Sequence, residues 1–169
     1  MKDIYDPEVQ KNARKSAWYD EVNRNVTKCP FCDLKEKYLI AEKDGVVLTV
    51  NLFPYIDGHM MIIPRRHVES LDKLNKKEWQ AMHDLISDGI KLVNTELKVE
   101  NTNTLYREGA KSGISLKHLH IHIIPITTEF LHYEPENKRF VMAFQDIELT
   151  PVEMAAKLRK AWKKSHKNK

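Results

Sequence analysis

Three short apolar runs in the first half of the chain have the composition of β-strands. The runs 38–41 and 46–50 are separated by Glu42-Lys43-Asp44-Gly45, and an Asp-Gly pair in this position is a strong signal for a hairpin turn. A third run, 59–63, ends at Pro64, as expected where a strand stops. The pattern therefore predicts a β-hairpin followed by a third strand.

Two segments carry the capping-box signature of a helix N-terminus. Asn75 stands three residues before Glu78, and apolar residues follow at three- and four-residue spacings, which predicts a long helix with one apolar face. Thr150 and Glu153 repeat the signature with Pro151 at the first helical position, which predicts a C-terminal helix. The predicted face of the long helix comprises Trp79, Met82, Ile86, Ile90, Val93 and Leu97.

Two further strand candidates, 102–107 and 119–124, follow the long helix, and Pro125 is expected to stop the second. Strands arranged around a single main crossover helix are typical of an α+β fold rather than a doubly wound parallel sheet. We therefore predict an antiparallel sheet with one long crossover helix and a C-terminal helix.

Composition narrows the class of protein. The chain has 169 residues, of which 41% are hydrophobic and 31% charged, and this balance excludes a disordered or low-complexity chain. It has no apolar run near the ~20 residues that span a bilayer, and its first residues lack the apolar segment of a secretory signal. We therefore expect a cytoplasmic protein without membrane association.

The net charge of +4 is concentrated at one end of the chain. Residues 157–169 contain seven Lys or Arg and no acidic residue. We interpret this tail as a solvated helix end, because a nucleic-acid-binding surface usually extends into the folded body. Nucleic acid is therefore not the expected partner.

Three histidines alternate with apolar residues in His118-Leu119-His120-Ile121-His122. Alternate side chains of a strand share a face and lie about 6.6 Å apart, so the imidazoles should form a row while Leu119 and Ile121 face the core. Imidazole acts as a metal ligand, a proton carrier and a nucleophile. One interpretation of the row is a catalytic zinc bound by all three histidines.

Both cysteines lie in Cys29-Pro30-Phe31-Cys32, which excludes a disulfide-stapled secreted fold. Two thiolates at this spacing are half of a tetrahedral zinc site and require two further ligands, such as imidazoles. The alternative is a redox-active dithiol, but the segment lacks a strand leading directly into a helix that would lower a thiol pKa. Metal binding is the favoured interpretation.

These motifs together resemble the histidine triad (HIT) family, most closely its diadenosine polyphosphate hydrolase and phosphorylase branch, which is fragile histidine triad-like. The resemblance covers roughly residues 29–125. It rests on the run 118–124 (His-Leu-His-Ile-His-Ile-Ile), the segment 51–67 with its Gly-His pair, the loop 108–115 and the Cys-Pro-Phe-Cys segment.

The resemblance implies three regions. An N-terminal arm comprises residues 1–28, and a HIT domain with a zinc knuckle comprises residues 29–135. A C-terminal strand and helix extension with the basic tail comprises residues 136–169.

The resemblance also implies the chemistry. His120 would be the nucleophile that attacks the α-phosphorus of a nucleotide and forms a phosphoramidate, while its other ring nitrogen donates to a backbone carbonyl. His122 would contact the phosphate and the leaving oxygen, and the Ser115 hydroxyl would donate to that oxygen. Water or inorganic phosphate then releases the nucleotide.

A structural zinc is the cofactor that the resemblance implies, and no organic cofactor is expected. In zinc-bearing members of the family the first histidine, here His118, joins two cysteines and the histidine that matches His67. Cys29, Cys32, His67 and His118 would thus form a closed Cys2His2 site that braces the strand of the nucleophile.

Four residues are expected to bind the nucleotide by the same resemblance. Asn51 would bind the ribose hydroxyls, Phe53 would flank the base, and His59 would lie near the phosphates. Arg107 stands where the family usually has Gln or Asn, and its guanidinium would stabilise phosphoryl charge. Ile114 replaces a common Gln before Ser115.

The implied function is a nucleotide hydrolase or transferase that cleaves dinucleoside polyphosphates of the adenosine type through a nucleotidyl-histidine intermediate. The implied assembly is a homodimer with the long helix beside the interface. The alternatives are a nucleoside phosphoramidase of the same family, a nucleotide-binding module without turnover, and a nucleic-acid adaptor that uses the basic tail and the zinc knuckle.

Overall fold

The computed structural model describes residues 3–16, 18–24, 27–108 and 116–167. Within these residues the helices and strands, in chain order, are α1 (Pro7–Asn12), α2 (Trp18–Arg24), β1 (Leu39–Lys43), β2 (Val46–Val50), β3 (Met60–Pro64), α3 (Lys76–Leu97), β4 (Asn101–Tyr106), β5 (Ile121–Ile126), β6 (Leu131–Glu134), β7 (Arg139–Met142) and α4 (Pro151–Ser165). Short 3-10 helices lie at Pro30–Asp33, Glu36–Tyr38 and Leu71–Lys73.

Strands β1 to β5 form an antiparallel sheet in the order β1-β2-β3-β5-β4, and α3 connects β3 to β4. This topology confirms the predicted α+β class and the predicted hairpin. Asp44 and Gly45 in the hairpin turn both have positive φ, 46° and 77°, as the twist-compatible two-residue turn requires.

Apolar side chains cover both faces of the sheet. Helices α3 and α4 pack on one face and enclose the main core. On the other face, Phe31 and Leu34 pack on residues of β1 to β3, and Tyr55 packs with Phe130 beside β5. Strands β2 and β3 are therefore buried at every position, which explains why their sequences are apolar on both faces except at Thr49, whose hydroxyl donates to the carbonyl of Tyr38.

Both predicted capping boxes are present, at Asn75 of α3 and Thr150 of α4. The predicted apolar face of α3 is wrong at its first position, because Trp79 is 53% exposed. In that turn the inward position belongs to Glu78, whose carboxylate accepts from Nε of Arg66 at 2.6 Å. The next residue lies about 100° further round the helix and faces solvent.

Strand β5 differs from its prediction at both ends. It begins at Ile121, so His118 and His120 lie in the segment before it. It also continues through Pro125 to Ile126, and Pro125 pairs with Thr102 of β4. Proline is tolerated there because β3 pairs with β5 no further than Ile123, which leaves β4 as the single neighbouring strand.

Helices α1 and α2 give the N-terminal arm a defined structure, in agreement with its interpretation as a short helix or an ordered arm. The separate two-stranded hairpin of β6 and β7 was not predicted from the sequence. The expected division after residue 135 falls in the turn of this hairpin, and the division into three regions stays a prediction. Among the described residues, no helix combines the length and apolar character needed to cross a lipid bilayer.

Candidate active site and metal centre

Four potential metal ligands from three separate segments converge at one end of the sheet. Cys29 precedes the first 3-10 helix and Cys32 lies within it, His67 follows β3, and His118 precedes β5. One ligand atom of each residue lies within 4.8 Å of all the others. The cluster therefore fits a metal site, with the residue set that the sequence predicted.

The distances and the chemistry of the donors agree with a tetrahedral ion. A zinc ion with ordinary bond lengths would place a thiolate sulfur and an imidazole nitrogen about 3.6 Å apart. Cys29 Sγ lies 3.4 Å from His118 Nδ1, and Cys32 Sγ lies 3.3 Å from His67 Nδ1 and 3.6 Å from His118 Nδ1. Four protein donors leave no open coordination position, so such an ion would act as a structural brace.

His118 is held in the tautomer that a metal ligand needs. Its Nε2–H donates to the carbonyl of Pro64 at 2.9 Å, which leaves the lone pair of Nδ1 directed at the two sulfurs. The N–H of Leu119 also donates to the carbonyl of Val68 at 2.6 Å. These contacts join the end of β3 to the segment that carries the next histidine.

His120 presents an uncharged ring nitrogen to the pocket. Its Nδ1–H donates to the carbonyl of His118 at 2.8 Å, so the lone pair is on Nε2. Burial lowers the pKa of His120 below its ordinary value, and the positive charge of Arg107 lowers it further. The ring therefore stays neutral near pH 7, as a nitrogen nucleophile requires.

His122 has the opposite tautomer because of a relay through His59. The N–H of Tyr55 donates to Nδ1 of His59 at 3.2 Å, so the proton of the neutral His59 ring is on Nε2. That Nε2–H donates to Nδ1 of His122 at 2.9 Å, which places the remaining His122 proton on Nε2. His122 can thus donate a hydrogen bond beside the lone pair of His120, whose ring centroid lies 4.9 Å away.

Both relay histidines are held neutral. Burial is the main cause that lowers the pKa of His59 well below its ordinary value, and the charges of His122 and Arg14 act in the same direction. Burial, followed by the charges of His120, Arg107 and Arg14, lowers the pKa of His122 to about 3. The relay therefore keeps its hydrogen-bond direction throughout the physiological pH range.

The three histidines do not share a row as the alternation predicted. The side chain of His118 faces the cysteines, and among the described residues the three rings do not form a group able to hold one ion. The cause is the late start of β5, because alternation holds only inside the strand. A catalytic zinc on His118, His120 and His122 is therefore not supported.

One pocket brings together most of the remaining predicted residues. Asn51, Phe53, Arg107, His120 and His122 line it. His59 does not line the pocket: it is 1% exposed and lies behind His122, to which its Nε2–H donates. Ser115 and Ile114 lie outside the described residues.

Asn51 has partners within its own loop. Its Oδ1 accepts from the N–H of Phe53 at 2.9 Å, and its amide N–H donates to Nδ1 of His59 at 3.5 Å, the same acceptor that Tyr55 uses. Its backbone N–H donates to the carbonyl of His59 at 2.9 Å and closes the loop between β2 and β3. Asn51 thus positions the relay as well as lining the pocket.

Sequence reasoning missed the residues that the N-terminal arm contributes. Tyr5, Arg14 and Tyr19 line the same pocket as His120, together with Tyr55 of the loop after β2. The arm has no hydrophobic periodicity and no motif that would place it there.

The arrangement is suited to nucleophilic displacement at an anionic centre. It offers a neutral nucleophilic nitrogen, an adjacent N–H donor and the positive charge of Arg107 beside an apolar wall that includes Phe31 and Phe53. Displacement at phosphorus needs positioning and charge stabilisation of this kind.

The sequence of this chain is similar to those of several known proteins. An uncharacterized HIT-like protein of Mycoplasma genitalium is 31% identical over 109 residues, which are 62% of this chain and 77% of that protein. The AP-4-A phosphorylase of Mycobacterium tuberculosis is 29% identical over 100 residues, 59% of this chain and about half (51%) of the phosphorylase.

A solved Zn-bound histidine triad family protein from Mycobacterium smegmatis superposes with a TM-score of 0.61 at 18% identity, over 84% of this chain and 98% of that one. The model of the HIT domain family matches residues 34–129, more than half of the chain. This chain therefore belongs to the HIT domain family.

Proposed function

We propose that this protein is a nucleotide hydrolase or phosphorylase that cleaves dinucleoside polyphosphates of the adenosine type at the α-phosphate through a nucleotidyl-His120 intermediate. The observation that carries the proposal is the hydrogen bond from Nδ1–H of His120 to the carbonyl of His118, because it leaves Nε2 as the nucleophilic atom. The similarity to an AP-4-A phosphorylase supports the choice of substrate class.

In the first step, the lone pair of His120 Nε2 attacks the α-phosphorus. A P–N bond forms, the P–O bond to the next phosphate breaks, and the leaving phosphates take the electron pair. His120 then carries a proton on Nδ1 and the nucleotidyl group on Nε2, and the carbonyl of His118 stabilises the resulting positive charge at 2.8 Å.

In the second step, water or inorganic phosphate attacks the same phosphorus, and the P–N electron pair returns to Nε2. When water attacks, its proton is released to solvent. The Nε2–H of His122 donates to a phosphate oxygen in both steps, and the guanidinium of Arg107 stabilises the phosphoryl charge. Asn51 and Phe53 would bind the ribose and the base at the other end of the pocket. Ser115 would donate to the leaving oxygen.

Zinc is the proposed occupant of the cluster of Cys29, Cys32, His67 and His118. Two thiolates and two imidazoles at tetrahedral spacing are the donor set that zinc prefers. When bound, zinc would stabilise the fold without taking part in the reaction. The residues of the cluster would fix the segment 118–120 against the end of β3.

The proposed assembly is a homodimer. Trp79 of α3 is 53% exposed, and β4 is an edge strand that pairs with β5 alone among the described residues. A large exposed ring and an open strand edge are features that a second subunit would cover. Sedimentation equilibrium should give twice the chain mass, and a monomeric mass at micromolar concentration would refute this part of the proposal.

The test of function is turnover of diadenosine tetraphosphate by the parent protein and by His120→Ala. Loss of the nucleophile should lower kcat by at least about 10³-fold. The thermal midpoint and the metal content should stay at parent values, and His132→Ala, at an exposed histidine, should keep full activity. Activity retained in His120→Ala would overturn the proposal.

Product analysis separates the two reactions. Without phosphate, hydrolysis yields AMP and ATP, whereas attack by inorganic phosphate yields ADP and ATP. Equal product ratios with and without phosphate would identify a hydrolase.

A further inference from the structure

The N-terminal arm is packed firmly against the domain through α1. Val9 and Ala13 are 3% and 0% exposed, and the buried Gln10 donates through Nε2 to the hydroxyl of Tyr38 at 3.0 Å. The end of α1 is therefore fixed, and the residue that follows Ala13 has a defined position at the rim of the pocket.

That residue is Arg14, and its guanidinium is placed by three contacts. Nε donates to the carbonyl of Phe53 at 3.0 Å. The guanidinium carbon lies 3.5 Å from the ring centroid of Tyr19 and 4.5 Å from that of Tyr55. Because the aromatic rings cover its faces, the terminal N–H groups are the part of Arg14 that can bind a ligand.

The terminal N–H groups of Arg14 have no protein acceptor among the described residues, and no carboxylate of those residues lies within 4.0 Å of it. Arg107 also has no carboxylate partner by the same criterion within that part of the chain. The two guanidiniums therefore line a pocket whose histidines are neutral. Two positive charges without a carboxylate partner in the described part of the chain favour a ligand with more than one negative group.

Tyr55 lies between Arg14 and His122 and places Arg14 on the His122 side of the site. The guanidinium carbon of Arg14 lies 4.5 Å from the ring centroid of Tyr55, and that centroid lies 6.3 Å from the ring centroid of His122. After burial and the charges of His120 and Arg107, the charge of Arg14 also lowers the pKa of His122. His122 is the ring that faces the leaving oxygen in the proposed reaction. The leaving phosphates would thus extend toward Arg14.

We propose that Arg14 binds phosphates of the leaving group, so that the N-terminal arm makes the site selective for substrates with a polyphosphate chain. This inference rests on the proposed function and deepens it. Arg14 lies outside residues 34–129, which match the family model, so the selectivity would be a property of the arm. The terminal N–H pair of a guanidinium has the geometry for bidentate phosphate binding.

The test compares two substrates that share adenosine and the α-phosphate. Diadenosine tetraphosphate has further phosphates in its leaving group, whereas adenosine 5′-phosphoramidate has none. Arg14→Gln should lower kcat/KM for the tetraphosphate by about 10- to 100-fold, the effect of one charge-assisted hydrogen bond. It should change kcat/KM for the phosphoramidate by less than about 3-fold, within the scatter of a surface substitution.

Two variants serve as controls. Arg14→Lys keeps the positive charge and should retain most of the activity on the tetraphosphate. Lys15→Gln removes the same charge from the adjacent residue, whose side chain pairs with Asp146, and should leave both substrates unaffected. The proposal would be overturned if Arg14→Gln lowered kcat/KM equally for both substrates or lowered it for neither.

A binding measurement separates this proposal from the proposed function. If the parent protein turns over neither substrate, the proposed function is refuted. The role of Arg14 is then tested by titration calorimetry, which measures binding of a non-hydrolysable methylene analogue of diadenosine tetraphosphate. The parent should bind the analogue more tightly than AMP, and Arg14→Gln should lose that preference by about 10-fold or more. A parent protein without the preference, or a variant that keeps it, would refute the role of Arg14.

Discussion

The burial of His122 makes the stability of this protein sensitive to acid in a way that one substitution should reveal. The ring is 7% exposed, and its pKa is lowered to about 3. Above pH 6.5 the ring is neutral in both the folded and the unfolded chain. As the pH falls from 6.5 toward 3, the unfolded chain binds a proton that the folded ring does not, so stability is lost with falling pH.

The size of the effect follows from this difference. With an unfolded-state pKa of about 6.5, the free energy of unfolding falls by about 2 kcal/mol between pH 7 and pH 5 because of His122 alone. His122→Asn removes the titrating ring, while the side-chain oxygen can still accept the hydrogen bond from Nε2–H of His59. Between pH 7 and pH 5, the free energy of unfolding should therefore fall by about 2 kcal/mol less in His122→Asn than in the parent protein.

Urea unfolding at pH 7.0, 6.0 and 5.0 measures this loss directly. Protonation of His59 and of the metal ligands also destabilises the protein in acid, but it contributes equally to the parent and the variant and cancels in the comparison. His132→Asn is the matched control, because this exposed ring stays in water on folding, and its pH dependence should equal that of the parent. Identical losses in the parent and His122→Asn would refute the buried neutral ring.

Two further predictions concern stability and metal binding. In urea unfolding, Gly58→Ala should lower the free energy of unfolding by about 1–3 kcal/mol more than Gly45→Ala. Both glycines have positive φ, but only at Gly58 would a Cβ lie 2.2 Å from Leu97. Equal losses of stability in the two variants would contradict the packing of this loop on α3. Cys32→Ser should lose its metal on dialysis against a chelator that leaves the metal bound to the parent protein. The thermal midpoint of the variant should then equal that of the metal-free parent. A variant that retains a full equivalent of metal by mass spectrometry would exclude Cys32 as a ligand.

Local signals in the sequence identified most of the elements because those elements are locally determined. The Asp44-Gly45 turn and the capping boxes at Asn75 and Thr150 depend on residues at most three positions apart. The cysteines and His118 were assigned to one metal site through a family resemblance, because ligands 89 residues apart have no local signature.

The sequence predictions failed where contacts between distant segments determine the position of a residue. Trp79 has the correct period for the core, but Glu78, which pairs with Arg66, occupies the inward position in the first turn of α3. Alternation placed His118 in a row with its neighbours, although β5 begins only at Ile121. Arg14 has no sequence signal, because its position over the pocket depends on contacts of the arm with Phe53 and Tyr55.

The most direct test of the proposed mechanism is the covalent intermediate on His120. The protein should be mixed with diadenosine tetraphosphate, quenched in base within milliseconds, and examined by intact and peptide mass spectrometry. We expect one adenylyl group on the peptide that contains His120 and none in His120→Gly. Turnover of the substrate with no adduct at any quench time, or an adduct on another residue, would contradict nucleophilic catalysis by His120.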